Sequence, residues 1–162
     1  MTKLRKLTAL LLAGALTLLL LTACSGGGGS SGPEAQAEAE VMGAIRSNPS
    51  TASLKYDDGM CNIAKETLAN ADLDADLKGS IGGYKFYNDV KYDKETSTLT
   101  LIAQYDYKDT TLEELIGYIT KNNVASNLKF NLSSNRAKVG VAAKIYKGKT
   151  YIAITLQAVK KT

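Results

Sequence analysis

A chain of 162 residues, 44% hydrophobic and 22% charged, has enough apolar material for one domain with its own core. It contains no histidine, which excludes Ser-His-acid and Cys-His nucleophile systems and any histidine-bound metal centre. The formal net charge of +4 includes Lys3, Arg5 and Lys6; from residue 24 onward 17 basic residues face 16 acidic ones, and the balance falls to +1.

Those three basic residues open the chain, an apolar run from Leu7 to Leu21 follows, and the small residues Thr22 and Ala23 end it, which is a secretory signal layout. The run is about 15 residues, short of the roughly 20 that a bilayer-spanning helix needs. Leu21-Thr22-Ala23-Cys24 resembles the lipobox of bacterial lipoproteins. The resemblance implies removal of residues 1–23 and diacylglyceryl modification of Cys24, leaving a lipid-anchored chain on the extracytoplasmic face of the cell membrane. Two or more acyl chains hold a protein stably where one does not. Ser25 to Gly32 then reads as a flexible Gly/Ser tether with a reach of about 15 Å. The expected organisation is a signal peptide over 1–23, a lipidated cysteine and linker over 24–33, and a single domain over 34–162.

Within that domain Glu34 to about Ser47 reads as a first helix, with Ala37, Val41, Ala44 and Ile45 on one face and Asn48-Pro49 as its stop. A second helix begins after Asp57-Asp58 and carries Met60, Ile63, Ala64 and Leu68. Cys61 falls on its apolar stripe with Ala64 and Leu68 and reads as a small buried residue. Once Cys24 is acylated, no intramolecular disulfide is left to it. The period then changes to two. Tyr84, Phe86, Val90 and Tyr92 share one strand face, Leu99, Leu101, Ala103 and Tyr105 another, and Asp93 to Ser97 is the turn between them.

Thr110-Thr111 with Glu113-Glu114 offers a capping box for a third helix, striped by Leu112, Leu115, Ile116 and Ile119. Val139, Val141, Ala143 and Ile145 alternate as a strand, Lys147-Gly148 turns the chain, and Ile152, Ile154 and Leu156 form the last strand. Helices and antiparallel hairpins in blocks make an α+β domain, with helices packed on an antiparallel sheet.

Candidate chemistry is sparse. "DLDAD" at Asp72 to Asp76 opens like a calcium loop, but Leu77 and Gly83 stand where that loop needs glycine and a bidentate glutamate. "GGYK" at Gly82 is too short for a phosphate loop. At least half of the nine tyrosines, being at strand spacing, are expected to pack in the sheet. Residues 121–162 carry nine basic side chains and no acidic one, against 8 basic and 16 acidic over 24–120. Lys144, Lys147 and Lys149 are therefore the candidate contacts for an anionic envelope component, unless they pair with the acidic part of the chain.

A wider resemblance runs over most of residues 40–156. The spacing Arg46, Leu54, Asp57, Met60, Ala64, Leu68, the helix "TTLEELIGYI" and the hairpin "KVGVAAKIYKGKTYIAI" with Gly140 are similar to the CAP superfamily, the cysteine-rich secretory, antigen 5 and pathogenesis-related domains. That resemblance implies an α/β/α sandwich with the first and third helices on opposite faces of one sheet, the alternative being a two-layer α+β domain with two hairpins. The family's metal cavity is not implied, since its histidines are missing and Gln104 falls about where one of its glutamates would be. The expected function is a non-catalytic, membrane-tethered binding module for an envelope lipid, glycan or protein, with no cofactor, no metal and no nucleic-acid partner. The alternative is an inhibitor, modulator or structural accessory of an envelope complex.

Overall fold

The computed structural model describes residues 32–81, 84–105, 109–120 and 130–160, and of residues 80, 81, 84, 109–112, 130 and 160 the backbone alone. The signal segment, Cys24 and nearly all of the tether lie outside the described residues. No helix among the described residues is long and apolar enough to cross a membrane.

The elements run α1 (Pro33–Ser47), β1 (Lys55–Tyr56), α2 (Asp58–Asn70), β2 (Gly79–Ile81), β3 (Tyr84–Tyr92), β4 (Thr96–Tyr105), α3 (Asp109–Thr120), β5 (Phe130–Asn131), β6 (Lys138–Tyr146) and β7 (Lys149–Lys160). They form an α+β domain around one seven-stranded sheet of order β1-β6-β7-β4-β3-β2, with β5 beside the end of β7. β1 lies parallel to β6, and the other pairs are antiparallel.

Local chemistry explains the boundaries. Pro33 sits in the first turn of α1, where its missing N–H costs nothing. The Asp57 carboxylate caps α2 by accepting from the Met60 N–H at 3.1 Å. Lys147 (φ 50°) and Gly148 (φ 72°) both take the left-handed conformation at the β6–β7 turn, where only glycine does so without steric cost.

Alternation along β7 sends two sets of side chains to opposite faces. Ile152, Ile154, Leu156 and Ala158 join Leu99, Leu101, Val139 and Val141 in the larger core, covered by α1 through Ala37, Val41, Met42 and Ile45 and by α3 through Leu115, Ile116 and Ile119. Tyr151 and Ala153 join Ile102 and Ala142 on the other face, under Ala64 and Leu68 of α2. The first and third helices thus share one face, the reverse of the placement implied by the CAP resemblance. With α2 on the second face, helices lie on both sides of the sheet in three layers, as a sandwich requires, and it is the two-layer alternative that fails.

Two side chains behave differently from their sequence pattern. Ile145, placed by alternation with the buried face of its strand, is 42% exposed at the end of β6. Cys61 is buried at 2% exposure as its stripe requires, but its sulfur is disulfide-bonded rather than free.

β1 covers only Lys138 and Val139 of β6, and no described strand pairs with the outer side of its far half. Carboxylates of α1 close it: Glu38 accepts from the Ala143 N–H at 2.9 Å and Glu34 from the Ile145 N–H at 2.7 Å. Desolvation pushes the Glu38 carboxyl above its ordinary value of 4.5, with the Ala143 N–H pulling the other way. Glu38→Ala should lower stability by about 1–2 kcal/mol, because a partly buried N–H loses its acceptor. Glu38→Gln, which keeps an acceptor oxygen, should cost less than about half of that in urea denaturation.

Candidate functional site

Of the three predicted lysines, Lys147 stands in the β6–β7 turn and is paired there. Lys147 Nζ meets Asp74 Oδ2 at 2.6 Å, and the Tyr146 hydroxyl donates to the same oxygen at 2.9 Å. The hydrogen bond from Lys147 holds the Asp74 carboxyl below its ordinary value, helped by Tyr146, while Asp74 raises Lys147. Lys149 adds its field to Asp74, and Lys144 lies beside Tyr151 across the β6–β7 pair. Lys147 has met the acidic part of the chain, whereas Lys144 and Lys149 make no ion pair among the described residues.

The acidic run supplies that partner and otherwise serves its own backbone. Asp72 Oδ1 accepts from the Asp74 and Ala75 N–H groups, both at 3.1 Å, and Asp76 Oδ2 accepts from the Asp72 N–H at 2.9 Å. These carboxylates cap a turn after α2.

The cavity of interest lies at the other end of β6. It measures about 500 Å³ and is lined by Lys55, Tyr56, Asp57, Thr96, Asn135, Arg136, Lys138 and Gln157. Backbone bonds from Lys55 N–H to the Ala137 carbonyl and from Asp57 N–H to the Val139 carbonyl, both 3.0 Å, pin β1 against β6 and set the cavity's first wall. The register places Lys55 beside Lys138 and Lys138 beside Gln157, so three neighbouring strands present one polar row. Arg136 enters from the turn before β6.

Three cations and one carboxylate make this row positive. Lys138 Nζ lies 2.8 Å from Asp57 Oδ2, and that hydrogen bond is the main cause holding Asp57 below its ordinary value of 3.8. Arg136 reaches Glu95 at 3.7 Å with both side chains largely exposed, a contact of little energetic weight. Lys55 makes no ion pair among the described residues. An anion entering here would meet Lys55 and the Arg136 fork, with Asn135 and Thr96 as neutral donors.

A second opening of about 310 Å³ separates α2 from β3, between Glu66, Thr67 and Asn70 on the helix and Tyr87, Asp89 and Lys91 on the strand. It carries mixed charge and no constellation of nucleophile and base. Compared with known proteins, the chain matches no family model, no curated protein and no solved structure.

Sequence reasoning missed Lys55, Arg136 and Lys138 as a group. Two of them belong to the basic final third, which was the available signal. The third stands about eighty residues earlier on a two-residue strand too short for any periodicity to reveal.

Proposed function

We propose that this protein is a membrane-tethered, extracytoplasmic lipoprotein acting as a non-catalytic binding module for an anionic group of an envelope component. The reading rests on the open cavity at the foot of the sheet, whose lining combines Lys55, Arg136 and Lys138 with only Asp57 as counter-charge. Such a row supplies charge-assisted hydrogen bonds to phosphate or carboxylate oxygens. It contains no group able to take a proton from a nucleophile at neutral pH other than an already paired carboxylate. The lipobox-like Leu21 to Cys24 supports the tether.

The Cys61 disulfide favours a second reading of the N-terminal segment. As the chain's other cysteine, Cys24 is the within-chain partner available to Cys61, and its sulfur can carry a thioether or a disulfide but not both. Export accommodates either, because extracytoplasmic compartments permit disulfides.

The binding reading is tested on the full chain in detergent by titrating inorganic phosphate and following backbone amide shifts. Shifts clustered at Thr96, Asn135 and Arg136, with affinity falling at least about tenfold in Lys55→Glu or Arg136→Glu, are the expected result, since each change reverses one charge of the site. Shifts that avoid these residues would refute it. Intact mass spectrometry of the same material decides the tether: cleavage before Cys24 with a diacylglyceryl mass supports the lipoprotein, whereas a disulfide mass with residue 24 unacylated replaces it with the second reading.

A further inference from the structure

β2 pairs with β3 only from Tyr84 to Phe86, and no described strand pairs with the same edge from Tyr87 to Tyr92. We propose that this edge is a self-association surface, on which a second copy of the chain adds its own β3 antiparallel about a two-fold axis at Val90.

The backbone phase supports that register. The Asp93 N–H donates to the Thr96 carbonyl at 2.9 Å, and the β3–β4 register continues in step from Tyr92↔Ser97 to Phe86↔Ala103. Bonded pairs alternate along an antiparallel ladder, so odd-numbered residues of β3 turn their N–H and C=O groups towards β4 and even-numbered ones turn them outward. Asn88 and Val90 therefore direct donors and acceptors away from the sheet. With the axis at Val90, that residue forms a bonded pair with its own symmetry mate, and Asn88 pairs with Tyr92 of the second copy.

The same register places Asp89 opposite Lys91 of the second copy, and Lys91 opposite its Asp89. Both are non-hydrogen-bonded positions, where Cα atoms approach to about 4.5 Å and side chains lie closest. Neither residue has an ion-pair partner within the chain among the described residues, and both project to the α2 face. Charges on an open edge normally repel a second strand. Here the two signs sit symmetrically about Val90, which makes the edge self-complementary, as a two-fold interface requires. Tyr92, at 66% exposure the most exposed large apolar side chain described, lies on the opposite face of the same strand and gains cover from the second copy. In this register Asp93 falls opposite Tyr87 of the second copy, one residue short of Phe86, where the pairing with β2 begins.

Sedimentation and light scattering of the full chain in detergent, with the micelle mass subtracted, test this. The wild type is expected to be a dimer at about 50 µM. Asp89→Lys alone and Lys91→Asp alone place like charges across the axis and should raise the dissociation constant at least about tenfold each, while the combined swap restores the dimer. A monomeric wild type overturns the proposal, and so does a dimer that the single changes leave intact or that the combined swap fails to restore.

Discussion

Gly140→Ala is expected to lower stability by about 3 kcal/mol or more, moving the urea midpoint down by roughly 2 M, because the added methyl has nowhere to go. A Cβ at this position would overlap the backbone of Met60 and Cys61 in α2. Backbone cannot rotate aside as a flexible side chain can, so either the helix lifts from the sheet or the strand shifts. Lifting the helix would strip cover from Ala64 and Leu68, which pack on Ala142 and Ala153 one row further along. Gly43 in α1 and Gly117 in α3 are the controls. Nothing lies within 4 Å of a Cβ at either, and alanine there should add about 0.5–1 kcal/mol by favouring the helix. A Gly140→Ala protein within about 0.5 kcal/mol of the wild type would mean that α2 does not sit on β6 as described.

Most of the fold is legible in the sequence, because each long element has one strongly buried face. The stripe Ala37, Val41, Ile45 announced α1, and Leu99, Leu101, Ala103 announced β4, with Asp57 and Lys147-Gly148 punctuating as their side-chain and backbone chemistry dictates. The two-residue strands β1 and β5 and the three-residue β2 are too short to carry a period, and β1 in particular is held by its parallel pairing with a strand about eighty residues away. Helix placement failed for a related reason: periodicity tells which side of a helix is buried and is silent about which face of the sheet receives it. The clue lay in residue size. Gly140, Ala142 and Ala153 form the small-residue face that admits a closely packed helix, whereas Ile152, Ile154 and Leu156 on the opposite face need the volume between α1 and α3.

The candidate cavity was legible only in part. Arg136 and Lys138 belong to a basic third that was visible as composition, but the same composition drew attention to Lys147, whose charge is taken up by Asp74. Sequence counts unpaired charge poorly, because pairing depends on which turn meets which hairpin. The Asp72 to Asp76 run and the lysines of the last hairpin are far apart in the chain and adjacent in space. Lys55 lacks such a neighbour and stands at the foot of the sheet.

The largest loss from a single core deletion is expected at Ile154. It is fully buried in the row Val141, Ile154, Leu101 at the middle of the sheet, on the face that α1 and α3 cover. Truncation to alanine removes methylenes that no solvent can replace and leaves a cavity between two helices and three strands, for a loss of about 3–5 kcal/mol. Against total stabilities of roughly 5–15 kcal/mol, that is about a fifth or more of what holds the fold together. Ile154→Val, which keeps the branched stem, should cost only about 1 kcal/mol. The neighbouring Ala153, also fully buried but facing α2, should respond in the opposite sense to size: Ala153→Val overpacks the closely seated helix and costs about 1–3 kcal/mol. Urea titrations of the three variants check the pattern. If Ala153→Val were neutral while Ile154→Ala was destabilising, α2 would have to sit further from the sheet than its contacts with Gly140 and Ala142 allow.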